Sequence, residues 1–493
     1  MKRLKLSGGM ALDSVFLTAT KLITSLISIV ITKLLAVEFS LHDYGTYSQA
    51  MLVVTTATSL SILGLSDGVN FFYNGCENTQ QRQKNVNTVF AIQCIVGLVC
   101  AAIVVGGSGI ITAYFDNPML KSLYVLIMFM PMLSNLLAMY QVLFVSIGKA
   151  KIIAVKNFVV SLVKLVAVAL ATLVTDSVVT IFAVTLVMSI AEIAYFWIYF
   201  GKKAFFVNPL KFEKEKIVEI LKYCLPLAAY ILANSLSRDI DKHTISFFTD
   251  TETLAIYTNA SKVLPFDMLT SSFATVMIPF ITRYIANDSY EKSKNLYKNY
   301  LSFSYVTTWL IAFGAIVCAE ELMLILYDEK YISGKGIFIV YIIIDMLRFA
   351  NVAIILRAKG KTKALMGYSF GMLAANLVLN IILFKLLGII GPAIANLTVT
   401  FGMNLLMLIQ GAGIIKSKIY ELIDFKDMAK TIIGMLLAGA VALGVKYICA
   451  NLSLSYIITF ILAYGSYAII VFVLNIKKVL RLFNNMNKIK MEE

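Results

Sequence analysis

Residues Asn87–Gly106 read NTVFAIQCIVGLVCAAIVVG, twenty consecutive positions without a charged side chain. An α-helix of about 20 apolar residues spans the hydrocarbon core of a bilayer, whereas a buried strand or soluble helix needs a shorter run. Comparable runs recur along the whole chain. The sequence therefore predicts an all-α integral membrane protein.

The composition excludes several other classes of protein. Of 493 residues, 59% are hydrophobic and only 14% are charged, and the mean hydropathy is +0.83. One soluble core cannot bury so many apolar side chains, which argues against a soluble enzyme. The net charge of +15 is attributed to cytoplasmic loops, so no nucleic-acid partner is expected.

Apolar runs of about 18–25 residues predict fourteen membrane helices. They lie near residues 11–37, 44–66, 87–111, 119–145, 152–174, 177–200, 223–248, 253–280, 297–318, 336–357, 364–387, 389–415, 430–450 and 453–475. The lysine-rich segment 201–222 is predicted to be a cytoplasmic amphipathic helix that links an N-terminal lobe (1–200) to a C-terminal lobe (223–415). Helices 13 and 14 and a basic cytoplasmic tail occupy 416–493.

Basic residues are distributed unevenly between the predicted loops. With the N-terminus in the cytoplasm, 31 of the 43 Lys and Arg residues fall in inner segments, nine fall within helices, and three fall in outer loops. Cytoplasmic loops accumulate Lys and Arg in membrane proteins. The distribution therefore predicts that both termini are cytoplasmic.

Three landmarks recur at a nearly constant offset. DYGTYSQA (Asp43–Ala50) aligns with TLAIYTNA (Thr253–Ala260) at 210 residues, GKAK at 148–151 aligns with GKTK at 360–363 at 212, and Tyr114 aligns with Tyr327 at 213. Six helices separate each pair, so the repeat is parallel. Two six-helix lobes are predicted, and Gly148 should superpose on Gly360 and Tyr47 on Tyr257.

One face of helix 1 is polar throughout. Ser14, Thr18, Lys21, Ser25, Ser28 and Thr32 follow one another at steps of three or four residues. Small hydroxyl residues also favour close packing between membrane helices, which is the alternative explanation. Because a lysine does not serve close packing and is costly in lipid, the stripe is predicted to face a polar lumen.

Further ionisable residues lie at membrane depth, where they normally face a partner or a cavity. On helix 7, Asn234, Arg238 and Asp241 share one face, and Arg238 with Asp241 could instead form a buried ion pair. Lys262 on helix 8 and Lys164 on helix 5 are candidates for binding an anion. Alternatively, Lys164 could form an ion pair with Glu192 on helix 6. Asp345 and Arg348 on helix 10 are three residues apart and are predicted to form a local ion pair.

No catalytic, metal or cofactor site is expected. The six cysteines and two histidines show no metal-ligand or catalytic spacing. The Gly-rich Lys-Ser/Thr loop that cradles nucleotide phosphates does not occur in the sequence.

Several segments resemble one transporter family. RDIDKHTISFFTDTETLAIYTNASKV (Arg238–Val263), DYGTYSQA, VMIPFITRYI (276–285) and NLVLNIILFKLLGIIGPAIANL (Asn376–Leu397) are similar to the polysaccharide-export flippases of the Wzx type. These belong to the multidrug/oligosaccharidyl-lipid/polysaccharide (MOP) exporter superfamily, and the resemblance spans nearly the whole chain.

The resemblance implies a flippase, not an enzyme, that moves undecaprenyl-diphosphate oligosaccharides across the bacterial cytoplasmic membrane by alternating access for surface polysaccharide synthesis. Membrane lipid, a polysaccharide polymerase and chain-length proteins are the candidate partners. The alternatives are a flippase for a lipid-linked peptidoglycan precursor, a drug/cation antiporter of the same superfamily, and a membrane glycosyltransferase or polymerase.

The residues divide into roles under this interpretation. A diphosphate that leaves water needs positive charge, for which the candidates are Lys21, Lys164, Arg238 and Lys262. The glycan needs hydroxyl and amide groups, for which the candidates are Ser14, Thr18, Ser25, Ser28, Asn234 and Asn259, with Asn70, Gln141, Asn157, Asn376, Asn380 and Asn404 as further amides. Asp13 or Asp241 could carry a coupling proton or sodium ion.

The charge distribution generates a test of orientation. Single cysteines at Lys149 and Lys361, in a background whose native cysteines do not react, should be labelled by an impermeant thiol reagent only from the cytoplasmic side. Labelling of either position from outside intact cells would show that the orientation is wrong.

Overall fold

The computed structural model is all-helical over the residues it describes, which are 8–76, 78–175, 177–262, 264, 266, 268–348 and 352–491. The side chains of 8–19, 150, 268–269, 271–273, 275–276, 279 and 483–491 lie outside the described residues. Two compact units meet in the chain between Ala255 and Ile256. That boundary falls later than the predicted boundary at residue 222, because α10 belongs to the first unit.

The first unit contains ten helices among its described residues and the start of an eleventh. They are α1 (Gly8–Glu38), α2 (Leu41–Ser61), α3 (Leu65–Asn74), α4 (Thr79–Gly106), α5 (Ser108–Phe115), α6 (Tyr124–Ile127), α7 (Met130–Ser146), α8 (Ala150–Val174), α9 (Val178–Lys203), α10 (Lys214–Phe248) and α11 (Thr251–Ala260). A 3-10 helix, Pro118–Ser122, precedes α6.

The second unit begins within α11 and contains ten further α-helices among its described residues. They are α12 (Met268–Ala286), α13 (Tyr290–Val317), α14 (Ala319–Leu326), α15 (Lys335–Leu347), α16 (Ile354–Ala358), α17 (Thr362–Leu387), α18 (Gly391–Ile414), α19 (Ile419–Leu422), α20 (Phe425–Asn451) and α21 (Tyr456–Met491). Two 3-10 helices, Glu329–Gly334 and Gly388–Ile390, precede α15 and α18.

A helix occupies each of the fourteen predicted places, but some are divided. The predicted continuous helix 44–66 is wrong, because the chain turns between α2 and α3, where Leu63 and Gly64 have φ of 45° and 67°. A side chain at Gly64 would place its Cβ 2.6 Å from the carbonyl oxygen of Cys224 in α10. The left-handed turn and this close approach both require glycine.

The linker is also different from the prediction. Instead of an amphipathic helix over 201–222, the structure continues α9 to Lys203, leaves 204–213 without helix and begins α10 at Lys214. Within this segment Phe205 and Val207 are buried. These two side chains therefore pack into the protein, whereas Phe206 and Leu210 of the same segment are exposed.

Eleven segments of the described chain are long and apolar enough to cross a membrane. One of them, 362–414, contains both α17 and α18. The total of fourteen crossings remains a prediction.

The element boundaries repeat at the offset read from the sequence. α4 and α13 both have 28 residues and start 211 positions apart, and α5 and α14 both have eight residues at the same offset. The glycines before α8 and α17 have almost the same backbone conformation, with φ of 71° at Gly148 and 72° at Gly360. These regularities support an internal repeat.

The two glycines should be equally intolerant of a side chain. Gly148→Ala and Gly360→Ala should each lower the free energy of unfolding in detergent by about 1 kcal/mol, because alanine is disfavoured at positive φ. The control Gly367→Ala lies in α17 with open space around it and should be neutral or stabilising. A loss at only one of the two turns would argue against equivalent roles.

Candidate functional site

A polar cavity of about 670 Å³ lies within the first unit between α1, α3, α7 and α8. Its lining consists of Thr20, Lys21, Thr24, Ser66, Asp67, Asn70, Ala138, Gln141, Val142, Val145, Ile153, Ala154 and Asn157. Eight of these thirteen residues are polar or charged. A volume of this size accommodates a small ligand or the headgroup of a larger one.

The local structure positions the polar side chains. The turn at Leu63 and Gly64 starts α3 in a new direction, and Ser66, Asp67 and Asn70 line the cavity from its first two turns. Across the cavity, α1 packs along α8, where Asn157 also lines the wall. The division of α2 from α3 thus helps to build the site.

Two lining residues have polar groups whose interactions are incomplete in the described part of the chain. The Ser66 hydroxyl is buried in the cavity wall and has no hydrogen-bond partner there. The Lys21 ammonium makes no ion pair within 4 Å in the described part of the chain, and its side chain is exposed to the cavity. An unsatisfied hydroxyl and an uncompensated cation at membrane depth are both costly unless water or a ligand meets them.

Sequence reasoning identified part of this cavity. Lys21 and the amides Asn70, Gln141 and Asn157, named separately from four predicted segments, meet at one site. Asp67 and Ser66 were missed as site residues, because the predicted second helix ended at residue 66 and left Asp67 in a loop. A glycine that can end a helix, Gly64, is followed by two polar residues three positions apart, Asp67 and Asn70. This pattern could have indicated a second short helix with a polar face.

The polar stripe of helix 1 has mixed surroundings. Among its described side chains, Lys21 lines the cavity, together with the neighbouring Thr20 and Thr24. Thr32 is buried and donates to the carbonyl oxygen of Ser28 at 3.0 Å, Ser28 is exposed and Ser25 is half-buried. The side chains of Asp13, Ser14 and Thr18 lie outside the described residues.

Glu192 of α9 forms an ion pair with Lys156 of α8. The two charged atoms are 2.6 Å apart, and the side chains of Glu192 and Lys156 are only 17% and 9% exposed. Lys156 is therefore buried against α9. Lys164 is half-buried and lies seven residues beyond Asn157, about 10 Å further along the same face of α8.

The charged residues in the second half of α10 have different surroundings. Lys242 forms an ion pair with Asp239 at 2.8 Å, Arg238 is exposed, and Asp241 is buried. Asp241 accepts a hydrogen bond from the backbone N–H of Lys242 at 2.8 Å. Asn234 donates to the carbonyl oxygen of Tyr230 at 2.8 Å.

Two predicted site residues, Asn259 and Lys262, belong to the second unit. Asn259 is buried, and Lys262 is half-buried after the end of α11. In the same unit Asp345 accepts a hydrogen bond from the backbone N–H of Leu264 at 3.2 Å and lies 3.9 Å from Arg348. The local pairing predicted for Asp345 and Arg348 is present.

Residues 30–334 match the family described as polysaccharide biosynthesis protein, and the match covers more than half of the chain. The chain belongs to this family. No curated protein sequence matches it.

Solved transporter structures share the fold of this polysaccharide biosynthesis protein at low sequence identity. The lipid II flippase MurJ, in an inward closed conformation, is similar over 94% of this chain and 100% of its own, with a TM-score of 0.71 and 16% identity. A mutant of the Vibrio cholerae MATE transporter VcmN is similar over 84% of this chain and 98% of its own, with a TM-score of 0.59 and 14% identity. A MOP superfamily transporter from Pyrococcus furiosus has a TM-score of 0.58 at 12% identity, with coverage of 82% and 94%.

The family match confirms the predicted link to polysaccharide biosynthesis, and the chain shares its fold with transporters of the MOP superfamily. These comparisons also agree with the predicted all-helical fold. The protein is an integral multi-pass membrane protein of a transporter fold.

The motif DYGTYSQA of this family member has a structural role in the first unit. The Asn117 amide donates to Thr46 Oγ1 at 2.8 Å and to Gln49 Oε1 at 2.7 Å, and Gln49 Nε2 donates to Thr251 Oγ1 at 3.2 Å. This buried network joins the start of α2, the turn after α5 and the start of α11. The residues that carry much of the family resemblance therefore hold the turns together and do not line the polar cavity.

The buried Lys156–Glu192 pair generates a stability prediction. Lys156→Met should lower the free energy of unfolding in detergent by about 3 kcal/mol, because it leaves a buried carboxylate without its partner, and adding Glu192→Gln should recover most of that loss. Lys84→Ala is the control, since its pair with Glu213 is 54% and 30% exposed and should contribute less than about 1 kcal/mol. Equal losses in the two single variants would contradict the burial argument.

Proposed function

We propose that the protein is a flippase that moves undecaprenyl-diphosphate-linked oligosaccharides across the bacterial cytoplasmic membrane by alternating access, for the synthesis of a surface polysaccharide such as O-antigen, capsule or exopolysaccharide. The polar cavity of the first unit carries this proposal. Membership of the polysaccharide biosynthesis family and the transporter fold support it. Both termini would lie in the cytoplasm.

The chemistry of the cavity suits the headgroup of such a lipid. Lys21 supplies the positive charge that a diphosphate needs when it leaves water, and Asn70, Gln141 and Asn157 supply donors and acceptors for sugar hydroxyls. The carboxylate of Asp67 lines the same cavity and would repel a bound diphosphate. This repulsion would keep binding weak enough for release.

The remaining predicted residues have supporting positions in this proposal. Lys164, about 10 Å beyond the cavity on the same face of α8, would receive the anion further along its path. Arg238 and Lys262 remain candidates for the diphosphate, and Asp241 and Asp13 for a coupling ion.

A lipid-linked peptidoglycan precursor is the second candidate substrate. The observation that favours it is the similarity to a lipid II flippase over 94% of the chain. Drug/cation antiport would favour acidic and aromatic residues around the lumen. The described lining of the polar cavity has one lysine, one acidic residue and no aromatic residue, which fits an anionic, sugar-bearing headgroup better.

Lys21 provides the direct test. In cells that lack the native protein, Lys21→Ala should lower glycan export about ten-fold or more at unchanged abundance, because a charge-assisted contact contributes about 1.5–3 kcal/mol. Lys21→Arg should retain part of the activity, since the charge survives while the geometry changes. Lys33→Ala, on the same helix but away from the cavity lining, should export normally.

Three outcomes would redirect the proposal. Normal export by a fully expressed Lys21→Ala protein would exclude a substrate role for this lysine. Loss of protein, restored by adding Asp67→Asn, would show that Lys21 only balances Asp67. Rescue of cells depleted of their lipid II flippase would instead favour the peptidoglycan precursor.

A further inference from the structure

One face of α13, in the second unit, carries several buried hydroxyl groups. Four side chains on this face are fully buried, and their hydroxyl oxygens have no hydrogen-bond partner among the described residues: Ser293, Tyr297, Ser304 and Thr308. At 100° per residue, these positions lie within about 60° of one another around the helix. They extend over about 22 Å of its length. Together they form a continuous stripe, the α13 stripe.

The hydroxyls of the α13 stripe do not bond to their own helix. Serine and threonine within a helix commonly donate to the carbonyl oxygen four residues earlier, and Thr307, which lies outside the stripe, does so to Phe303 at 2.8 Å. Ser304 and Thr308 make no such bond. Because a buried hydroxyl without a partner costs stability, the stripe needs partners from outside α13.

The α13 stripe begins near the surface of the protein. Ser293 is the fourth residue of α13, and Glu291 and Lys292 in the same first turn are exposed. The hydroxyl of Ser293 is therefore within one helical turn of exposed residues.

The other end of the α13 stripe lies beside the α11–α12 connection, residues 261–267. The Tyr300 hydroxyl is 3.5 Å from the carbonyl oxygen of Thr270, near the start of α12. Helices α12 and α13 are consecutive and pack against each other, so they run in opposite directions. Ser304 and Thr308, further along α13, therefore lie beyond the start of α12 and level with the α11–α12 connection.

Contacts with α15 place charged groups at the same level. The Trp309 indole N–H donates to the carbonyl oxygen of Met346 at 2.7 Å, which puts this end of the α13 stripe against α15. The adjacent Asp345 is buried and accepts a hydrogen bond from the backbone N–H of Leu264 in the α11–α12 connection at 3.2 Å. Lys262 belongs to the same connection. The α13 stripe therefore leads from the surface to a charged region inside the second unit.

The chemistry of the α13 stripe suits water. Each hydroxyl can donate one hydrogen bond and accept others, and no member of the stripe carries a charge that would hold an ion. Members one turn apart are separated by about 6 Å along the helix. A water molecule that makes a hydrogen bond of about 2.8 Å on each side spans most of this distance. Water molecules can therefore join the hydroxyls into one chain.

We propose that the α13 stripe binds a chain of internal water molecules, which links the surface near Ser293 to the α11–α12 connection. The water satisfies the four hydroxyls and hydrates Asp345 and Lys262 inside the second unit. Hydration lowers the cost of keeping such groups ionised in the interior of a membrane protein. Water binding at this stripe does not depend on which substrate the protein transports.

Radiolytic labelling of the full-length protein in lipid nanodiscs tests for this water. A short X-ray pulse converts water to hydroxyl radicals, which oxidise the side chains that the water contacts. Tyr297 should be oxidised several-fold faster than Tyr257, a control that is equally buried and whose hydroxyl lies 3.5 Å from that of Tyr341. Mass spectrometry of the peptides measures both rates.

Removal of single hydroxyls distinguishes bound water from an unsatisfied group. Ser304→Ala and Thr308→Val should each lower the Tm in detergent by about 2 °C, because the bound water loses a hydrogen-bond partner that nothing replaces. A hydroxyl without water predicts the opposite sign, since its removal relieves a desolvation cost. Ser304→Ala should also slow the oxidation of Tyr297, whereas the matched control Thr307→Val should leave it unchanged.

Two results would overturn the water chain. These are oxidation of Tyr297 no faster than that of Tyr257, and a raised Tm in both Ser304→Ala and Thr308→Val. The comparison of the two tyrosines uses the unmodified protein, so it decides the matter even when a variant fails to fold. Because neither measurement involves transport, failure here would leave the flippase proposal standing, and a failed export assay would leave the water chain standing.

Discussion

The absence of water from the bilayer core is the constraint on which this structure depends. Every backbone N–H and C=O at that depth must be satisfied within the protein, and an α-helix achieves this within a single segment. The uncharged runs of the sequence form helices for this reason. A helix can be interrupted only where other parts of the protein lie close to the backbone groups that the interruption exposes. The turn at Leu63 and Gly64 is such a break, and it lies against α10.

The same constraint governs where charges can be placed. Several cations in the described membrane spans have an acidic partner. Lys156 pairs with Glu192, Lys446 with Glu321 at 2.9 Å and Lys478 with Asp427 at 2.5 Å. The last two pairs join α20 and α21 to their neighbours in the second unit. Such pairs cost desolvation energy but fix neighbouring helices in place once formed.

Lys21 differs from these lysines because it lines a cavity and makes no ion pair within 4 Å in the described part of the chain. Polar groups from four helices surround that cavity, and the Ser66 hydroxyl within it has no partner among the described residues. A site with unsatisfied polar groups is poorly suited to a purely structural role, since each such group costs stability that only water or a ligand restores. The polar groups of this cavity are therefore better suited to binding a ligand than to stabilising the fold.

The amino-acid sequence by itself determined the helical membrane fold, the approximate helix positions, the repeat offset and the family. These properties depend on hydropathy and on the spacing of residues along the chain, both of which can be read directly from the sequence. The tertiary structure alone decided which charge meets which partner. It paired Glu192 with Lys156, and it added Asp67 to the site of Lys21. Which residues of different helices meet depends on helix breaks, such as the left-handed turn before α3, and on the angles at which helices pack. The periodicity of the sequence does not predict these breaks and angles.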